Sequence, residues 1–276
     1  MSSRLPGLDT LLKSWPYSPG EVTARRGAGD DGREVLYLRV ELGVLQLEVS
    51  DRPDGATPDG FATYLECLLA KSESDDAGWT FGEGEYSEID REFVQYYHRR
   101  VAWLALREFA LAVQDADHTI ALMDFCRAHS SDIGWIALHE QYRPFVLFHR
   151  TQAATLAQLE LGEPDAALDA LDNGMDQIRE TIEADWGDAE DFLEEDAIDS
   201  PLDYEAEEGL TVDEFINKLQ KLRDSITDEY ELSDPLPQRL ADAVAREEYE
   251  LAAQLRDQIA QEHRLGKERP RAPRRG

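Results

Sequence analysis

The chain has 276 residues, 42% of them apolar and 32% charged, with a formal net charge of −31. That length suits one large domain or two modest ones with buried cores. The charge opposes general phosphate binding, because each Lys or Arg contact would work against repulsion from the rest of the surface.

Two cysteines, Cys67 and Cys126, lie far apart and neither has a CxxC partner. A disulfide framework and a zinc ribbon are therefore not expected, and both residues read as buried or half-buried thiols in a reducing cytosol. Residues 1–19 lack a basic segment followed by an apolar core, and no run of 18 apolar residues occurs. The expectation is a cytoplasmic protein without a membrane span.

Residues 20–50 read as β. Val35, Tyr37, Arg39 and Glu41 alternate with Leu36, Leu38, Val40 and Leu42, a period of two. Val22 to Arg26 is a candidate first strand, Gly29-Asp30-Asp31-Gly32 a turn, and Gly43 a bulge or turn before Leu45, Leu47 and Val49. Pro53-Asp54-Gly55 ends this antiparallel meander of two or three strands. A helix over 58–71, with Phe61, Leu65 and Leu68 on one face, is expected to cover it, since so few strands cannot bury a face alone.

From about Ser87 the period becomes helical. Phe93, Tyr97, Val101 and Leu104 form one stripe, and Phe109, Ala112, Val113, Ala116, Ile120 and Met123 the next. A turn is expected near 129–134. Pro144 starts or kinks the following helix, which carries Phe145, Phe148, Ala153 and Leu156. Gly162-Glu163-Pro164 breaks the chain, and Pro164 suits the first position of a helix bearing Ala167, Leu168, Leu171, Ile178 and Ile182.

The four helices make two pairs. A small residue follows each helix–helix turn by about one helical turn: Ala112 after Arg107-Glu108-Phe109, and Ala167 after Gly162-Glu163-Pro164. Trp103 suits the large position of the first helix. Each pair resembles a degenerate tetratricopeptide (TPR) repeat. The alanines are 55 residues apart, so an insertion around 126–146 must separate repeats that are normally 34 long. A plain helical bundle is the alternative.

Residues 183–208 hold 13 Asp or Glu among 26 positions and no Lys or Arg. Such a run reads as a solvated linker, with nucleic-acid mimicry as the sharper alternative. A helix is expected over 211–228, with Thr211 as N-cap, Glu214 three residues on, and a stripe of Phe215, Leu219 and Leu222.

Residues 236–261 read as two short amphipathic helices. Leu236, Leu240 and Val244 face one way on the first, and Leu251, Leu255 and Ile259 recur every four residues on the second. Ala252 and Ala253 allow close packing of the two. About thirty residues bury too little area to stand alone, so the remaining apolar stripe needs another surface. Tyr249-Glu250, Ala252-Ala253, Arg256-Asp257 and Ile259 resemble the UVR motif, the helical hairpin shared by the UvrB and UvrC nucleotide-excision-repair proteins and by McsA-type regulators of Clp chaperone-protease systems. The family more often has Phe at the position of Tyr249. The resemblance implies a protein-docking hairpin that pairs with a second such hairpin or with a partner, with Tyr249, Leu251, Leu255, Arg256, Asp257 and Ile259 as its binding residues. The phosphate loop of the helicases and the cysteine pairs of McsA-type proteins are absent from this sequence.

Catalytic signatures are incomplete. His139-Glu140 begins like HExxH, but Arg143 stands where the second His is needed. His98, Asp117, His118 and His149 could meet across packed helices as metal ligands, or serve as ordinary interhelical hydrogen-bonding groups. No serine sits in a GxSxG elbow, and neither cysteine has a His at a diagnostic spacing. Residues 91–150 contain seven Arg, no Lys and seven acids. Tyr96, Arg99, Arg100, Arg143 and Arg150 could line a groove that reads carboxylates or peptide backbone. The alternative is ion pairs to Asp115, Asp117 and Asp124. The tail 264–276 has six Lys or Arg, one Glu, Pro270 and Pro273.

The expected fold is α+β, mostly α. It comprises a small α+β unit over 1–75, a TPR-like core over 85–184, an acidic linker over 185–210, a helix over 211–230, the UVR-like hairpin over 232–262 and a basic tail over 263–276. The expected function is a non-enzymatic adaptor that binds a protein partner or itself through the hairpin. No cofactor, no metal and no direct nucleic-acid contact by the acidic body are expected. A regulatory subunit of a nucleotide-excision-repair or Clp-type machine is the first alternative. An enzyme or metal-binding protein using the His/Arg/Asp cluster is the second.

Overall fold

The computed structural model describes residues 8–74, 79–183 and 211–230, together with Val244, Tyr249, Ala253 and Arg256. The chain forms two units, Met1–Leu222 and Arg223–Gly276. The described part is mostly helical, with one three-stranded antiparallel sheet near the N-terminus.

A short helix, α1 (Asp9–Ser14), precedes the sheet. Strands β1 (Ala24–Ala28), β2 (Glu34–Val40) and β3 (Gly43–Glu48) lie in the order β1-β2-β3, with Arg26 opposite Leu36 and Leu36 opposite Leu47. The first turn is closed by Gly32 at φ 83°, where only glycine is unstrained. The second consists of Glu41 and Leu42, so the chain reverses just before Gly43 and leaves Leu42 92% exposed. Both faces of β2 are buried. Leu36 and Leu38 point to the helices, while Trp15 belongs with the other face: the Arg25 guanidinium lies 4.4 Å over its ring, and Arg39 Nε donates to its carbonyl at 2.8 Å.

The expected helix over 58–71 starts later. Asp59 (φ 49°) and Gly60 (φ 88°) end a 3-10 turn, Pro58–Gly60, and α2 runs Tyr64–Ser74 with Thr63 Oγ1 accepting from the Glu66 N–H at 3.1 Å. Nor does α2 cover the meander. Tyr64, Leu65, Cys67 and Leu68 join Ile89, Phe93 and Ala116 in one core, whereas Leu36, Leu38 and Leu47 pack with Tyr97, Val101, Ala102 and Trp103 in a second. The long helix α3 (Glu83–Ala105) makes both contacts possible: its first half receives α2 and its second half receives the sheet.

The helices α4 (Phe109–His129), α6 (Arg143–Glu160) and α7 (Pro164–Glu183) are the other three foreseen from periodicity. Three-residue turns join α3 to α4 and α6 to α7, which makes each pair antiparallel. Pro144 lies in the first turn of α6 and Pro164 opens α7. Ala112 and Ala167, the expected close-packing positions, are both fully buried. A closer approach lies at Gly174, where an added Cβ would sit 2.0 Å from Thr151 Oγ1. The stretch 126–146 contains a further helix, α5 (Ile133–Glu140), capped by Asp132 Oδ1 accepting from the Trp135 N–H at 2.9 Å.

Helix α8 (Val212–Glu229) opens with the expected capping box: the Glu214 N–H donates to Thr211 Oγ1 at 3.3 Å, and the Thr211 N–H to Glu214 Oε2 at 2.7 Å. Phe215 stacks on Phe148 at 4.9 Å between ring centres. Phe215 and Leu219 are buried and Leu222 is half-buried.

Candidate functional site

The polar residues singled out from the sequence separate into a sealed seam and an open cleft. The seam runs between α3 and α4. Arg99 places Nε 3.0 Å and Nη2 2.8 Å from the Asp115 carboxylate, and both residues are buried. Its Nη1 donates to the carbonyls of Asp51 at 2.7 Å and Glu48 at 3.2 Å, and the Tyr96 hydroxyl also donates to Asp51 O. The bend at Asp51 (φ 56°) is therefore held by one guanidinium that also ties α3 to α4. Burial lowers the Arg99 pKa, but the hydrogen bonds and charge of Asp115 outweigh it and leave it raised. Arg100 is 1% exposed, with Nη1 3.1 Å from Thr119 Oγ1 and Nε 3.4 Å from His149 Nδ1. Burial pulls its pKa down to about 10, which leaves it charged at neutral pH.

Glu92 completes the seam. It has no exposed surface, and it accepts the N–H groups of Tyr64 at 2.7 Å and Leu65 at 3.1 Å, two of the donors that open α2. His118 Nε2 lies 2.9 Å from the Oε1 that accepts the Leu65 N–H, and Arg52, 1% exposed, approaches Oε2 at 3.6 Å. The His118 ring stacks on Tyr96 at 3.7 Å. One carboxylate thus fastens α2, the loop before it and α4 to α3. Sequence reading missed Glu92. The available signal was an acid on the apolar face of α3, three residues after Ile89 and four before Tyr96.

Tyr96, Arg99 and Arg100 are interior groups and cannot line an open groove. Arg143 and Arg150 line a cleft of about 670 Å³ among α4, α5, α6 and α7, along with Arg127, Glu140, Gln177 and Thr181. Each of these three arginines meets a carboxylate. Arg143 bonds Glu140 at 2.8 Å and Asp124 at 2.8 Å, Arg127 reaches Glu140 at 2.9 Å, and Arg150 meets Asp117 at 2.5 Å. Burial alone would raise the Glu140 pKa, but the hydrogen bonds and charges of Arg143 and Arg127 outweigh it and hold it below its ordinary value. The carboxylates Asp115, Asp117 and Asp124 are those named as ion-pair partners from the sequence.

The histidines are dispersed. His118 serves Glu92, His149 serves Arg100, and His139 Nε2 lies 2.9 Å from Asp90. His98 is half-buried, and burial lowers its pKa to about 4. Asp117 is occupied by Arg150. Among the described residues no group of three or more His, Cys, Asp or Glu could hold a metal ion, and no helix is long and apolar enough to cross a membrane.

Of the expected docking hairpin, Val244, Tyr249, Ala253 and Arg256 are described. All four are helical and exposed, Tyr249 to 69% and Val244 to 53%. Tyr249, Ala253 and Arg256 follow one another at offsets of four and three, the spacing that places residues on one side of a helix. Leu251, Leu255, Asp257 and Ile259 lie outside the described residues, as do the expected acidic linker over 185–210 and the basic tail over 263–276. No curated protein and no solved structure matches the chain. The family model of the UvrB/uvrC motif, UVR, matches residues 238–261, so the segment that carries the exposed Tyr249 is a UVR motif.

Proposed function

We propose that this protein is a non-enzymatic adaptor of the cytoplasm that docks a protein partner, or a second copy of itself, through the UVR motif at 238–261. One observation carries the reading: the matched segment presents Tyr249, 69% exposed, on a helix. An exposed aromatic of this size on an amphipathic helix is the usual anchor of a protein contact. Leu251, Leu255 and Ile259, recurring every four residues, supply a separate apolar stripe, and Arg256 and Asp257 orient the partner at its rim. Burying one such side chain contributes roughly 1.5–3 kcal/mol, so losing two weakens a micromolar contact by at least about tenfold.

The test is co-purification and sedimentation of the full chain against Leu255→Asp and against Tyr249→Ala with Ile259→Ala. Both variants should lose association while the circular dichroism of α3 to α7 is kept. Wild-type binding by Leu255→Asp sinks the reading. A second reading, a regulatory subunit of a nucleotide-excision-repair or Clp-type machine, is favoured by the UVR match. The identity of a partner retained only when residues 232–262 are present decides between the two.

A further inference from the structure

A second surface, independent of the UVR motif, is built around α5. Rings of Trp79, Phe81, Tyr86 and Trp135 meet edge to face in sequence, with centres 5.3, 5.4 and 4.8 Å apart, and His139 follows Trp135 at 4.2 Å. All five rings are half-buried, so each keeps part of its surface in water. Asp90 accepts from Trp135 Nε1 at 3.0 Å and lies 2.9 Å from His139 Nε2, which fixes the planes of both rings. Asp90 and the exposed Asp132 border this ledge with negative charge.

An aromatic ledge with an acidic border suits proline rings and guanidinium planes, which stack on aromatic faces while their charges meet carboxylates. The chain contains one segment of that chemistry. Residues 264–276 carry six Lys or Arg, one Glu, Pro270 and Pro273, within a protein whose net charge is −31. We propose that the Trp79–Trp135 ledge is a docking site for the basic, proline-bearing tail of a second copy of this chain. Such a contact is heterologous, tail to ledge, and a reciprocal exchange of two tails closes it as a dimer.

The experiment compares the full chain, a chain ending at 263, and Asp90→Asn in the full chain, by sedimentation equilibrium over a range of concentrations. All three keep the UVR motif, so self-association through that motif is common to them and the differences report the tail. The full chain should gain mass with concentration beyond the truncated chain, and Asp90→Asn, which can still accept from Trp135 Nε1 but carries no charge, should lose most of that gain without loss of helicity. A labelled peptide of residues 264–276 should bind the truncated chain at low salt, and Pro270→Ala with Pro273→Ala in the peptide should weaken it by at least about fivefold. Equal affinity of the proline-free peptide overturns the proposal, because attraction is then charge alone. Equal mass of full and truncated chains at every concentration also overturns it, because the tail then adds nothing between copies.

Discussion

The pairs α3/α4 and α6/α7 have the same antiparallel form and close by opposite means. In the first, buried charge does the joining: Arg99 with Asp115, Glu92 with His118, and Arg100 with Thr119. In the second, backbones come close because Gly174 has no side chain to meet Thr151, with Ala153 and Ala167 fully buried nearby in the chain. A steric seam needs only shape. A charged seam needs every partner in place, since a buried ion left alone costs far more than the pair contributes. The charged seam is also the one that reaches beyond its helices, holding the Asp51 bend and the start of α2.

The strongest way to break this contrast is Glu92→Ala. It strips His118 and two α2 N–H groups of a hydrogen-bond partner and Arg52 of an ion-pair partner, and it should cost about 3–5 kcal/mol by urea unfolding. A loss under about 1 kcal/mol would mean that the seam relaxes as freely as a surface. Acid titration sharpens the contrast next. The folded His98 pKa lies near 4 against an ordinary 6.5, because burial disfavours the cation, so the unfolded chain binds the proton first. Stability should be full above 6.5 and should fall as pH drops toward 4, by about 3 kcal/mol in all. Glu140, held below its ordinary 4.5, begins to lose its contribution only under that pH, so it does not share the His98 slope between 5 and 6.5. His98→Gln should flatten the slope there, and an unchanged slope would place the titration elsewhere.

For the steric seam, Gly174→Ala and Ala167→Leu should each cost about 1–3 kcal/mol by overpacking. Thr151→Ala should recover part of the Gly174→Ala loss, as expected for residues in contact, and strict additivity of the two would remove the close approach from the explanation. The smallest effect belongs to Arg150→Ala in the cleft. That pair is 32% and 50% exposed, so its removal should change thermal stability by less than about 1 kcal/mol.

Local signals were enough to find β2 and β3, to mark a candidate for β1, and to find the two helix pairs and the capped helix α8: alternation for β2, Pro164 for α7, Thr211 and Glu214 for α8. What covers the sheet was not legible. Leu65 and Leu68 show a helical face but not its partner, and only the length of α3 decides that α2 meets Ile89 and Phe93 while the sheet meets Tyr97 and Val101. The arginines were ambiguous for a similar reason. Arg99 and Arg150 are the same residue type in the same composition, and depth alone separates an interior strut from a cleft wall. The UVR motif was legible because aromatic-Glu, double Ala and Arg-Asp recur at fixed offsets, which no tertiary contact has to supply. Helix α5 was hidden by its length of eight residues, too short for a stripe.

Cys67 and Cys126 are the chain's only thiols, and both lie in the core formed by α2 and the first half of α3, none in the core beneath the sheet. Burial holds the Cys126 thiol near 12, and burial with Asp59 raises Cys67, so neither is an alkylating target while that core is shut. A maleimide or iodoacetamide clock therefore counts openings of one half of the Met1–Leu222 unit and is silent to the other. Comparing that clock with global unfolding asks whether the two cores breathe as one cooperative unit or as two foldons, with no label added to the molecule.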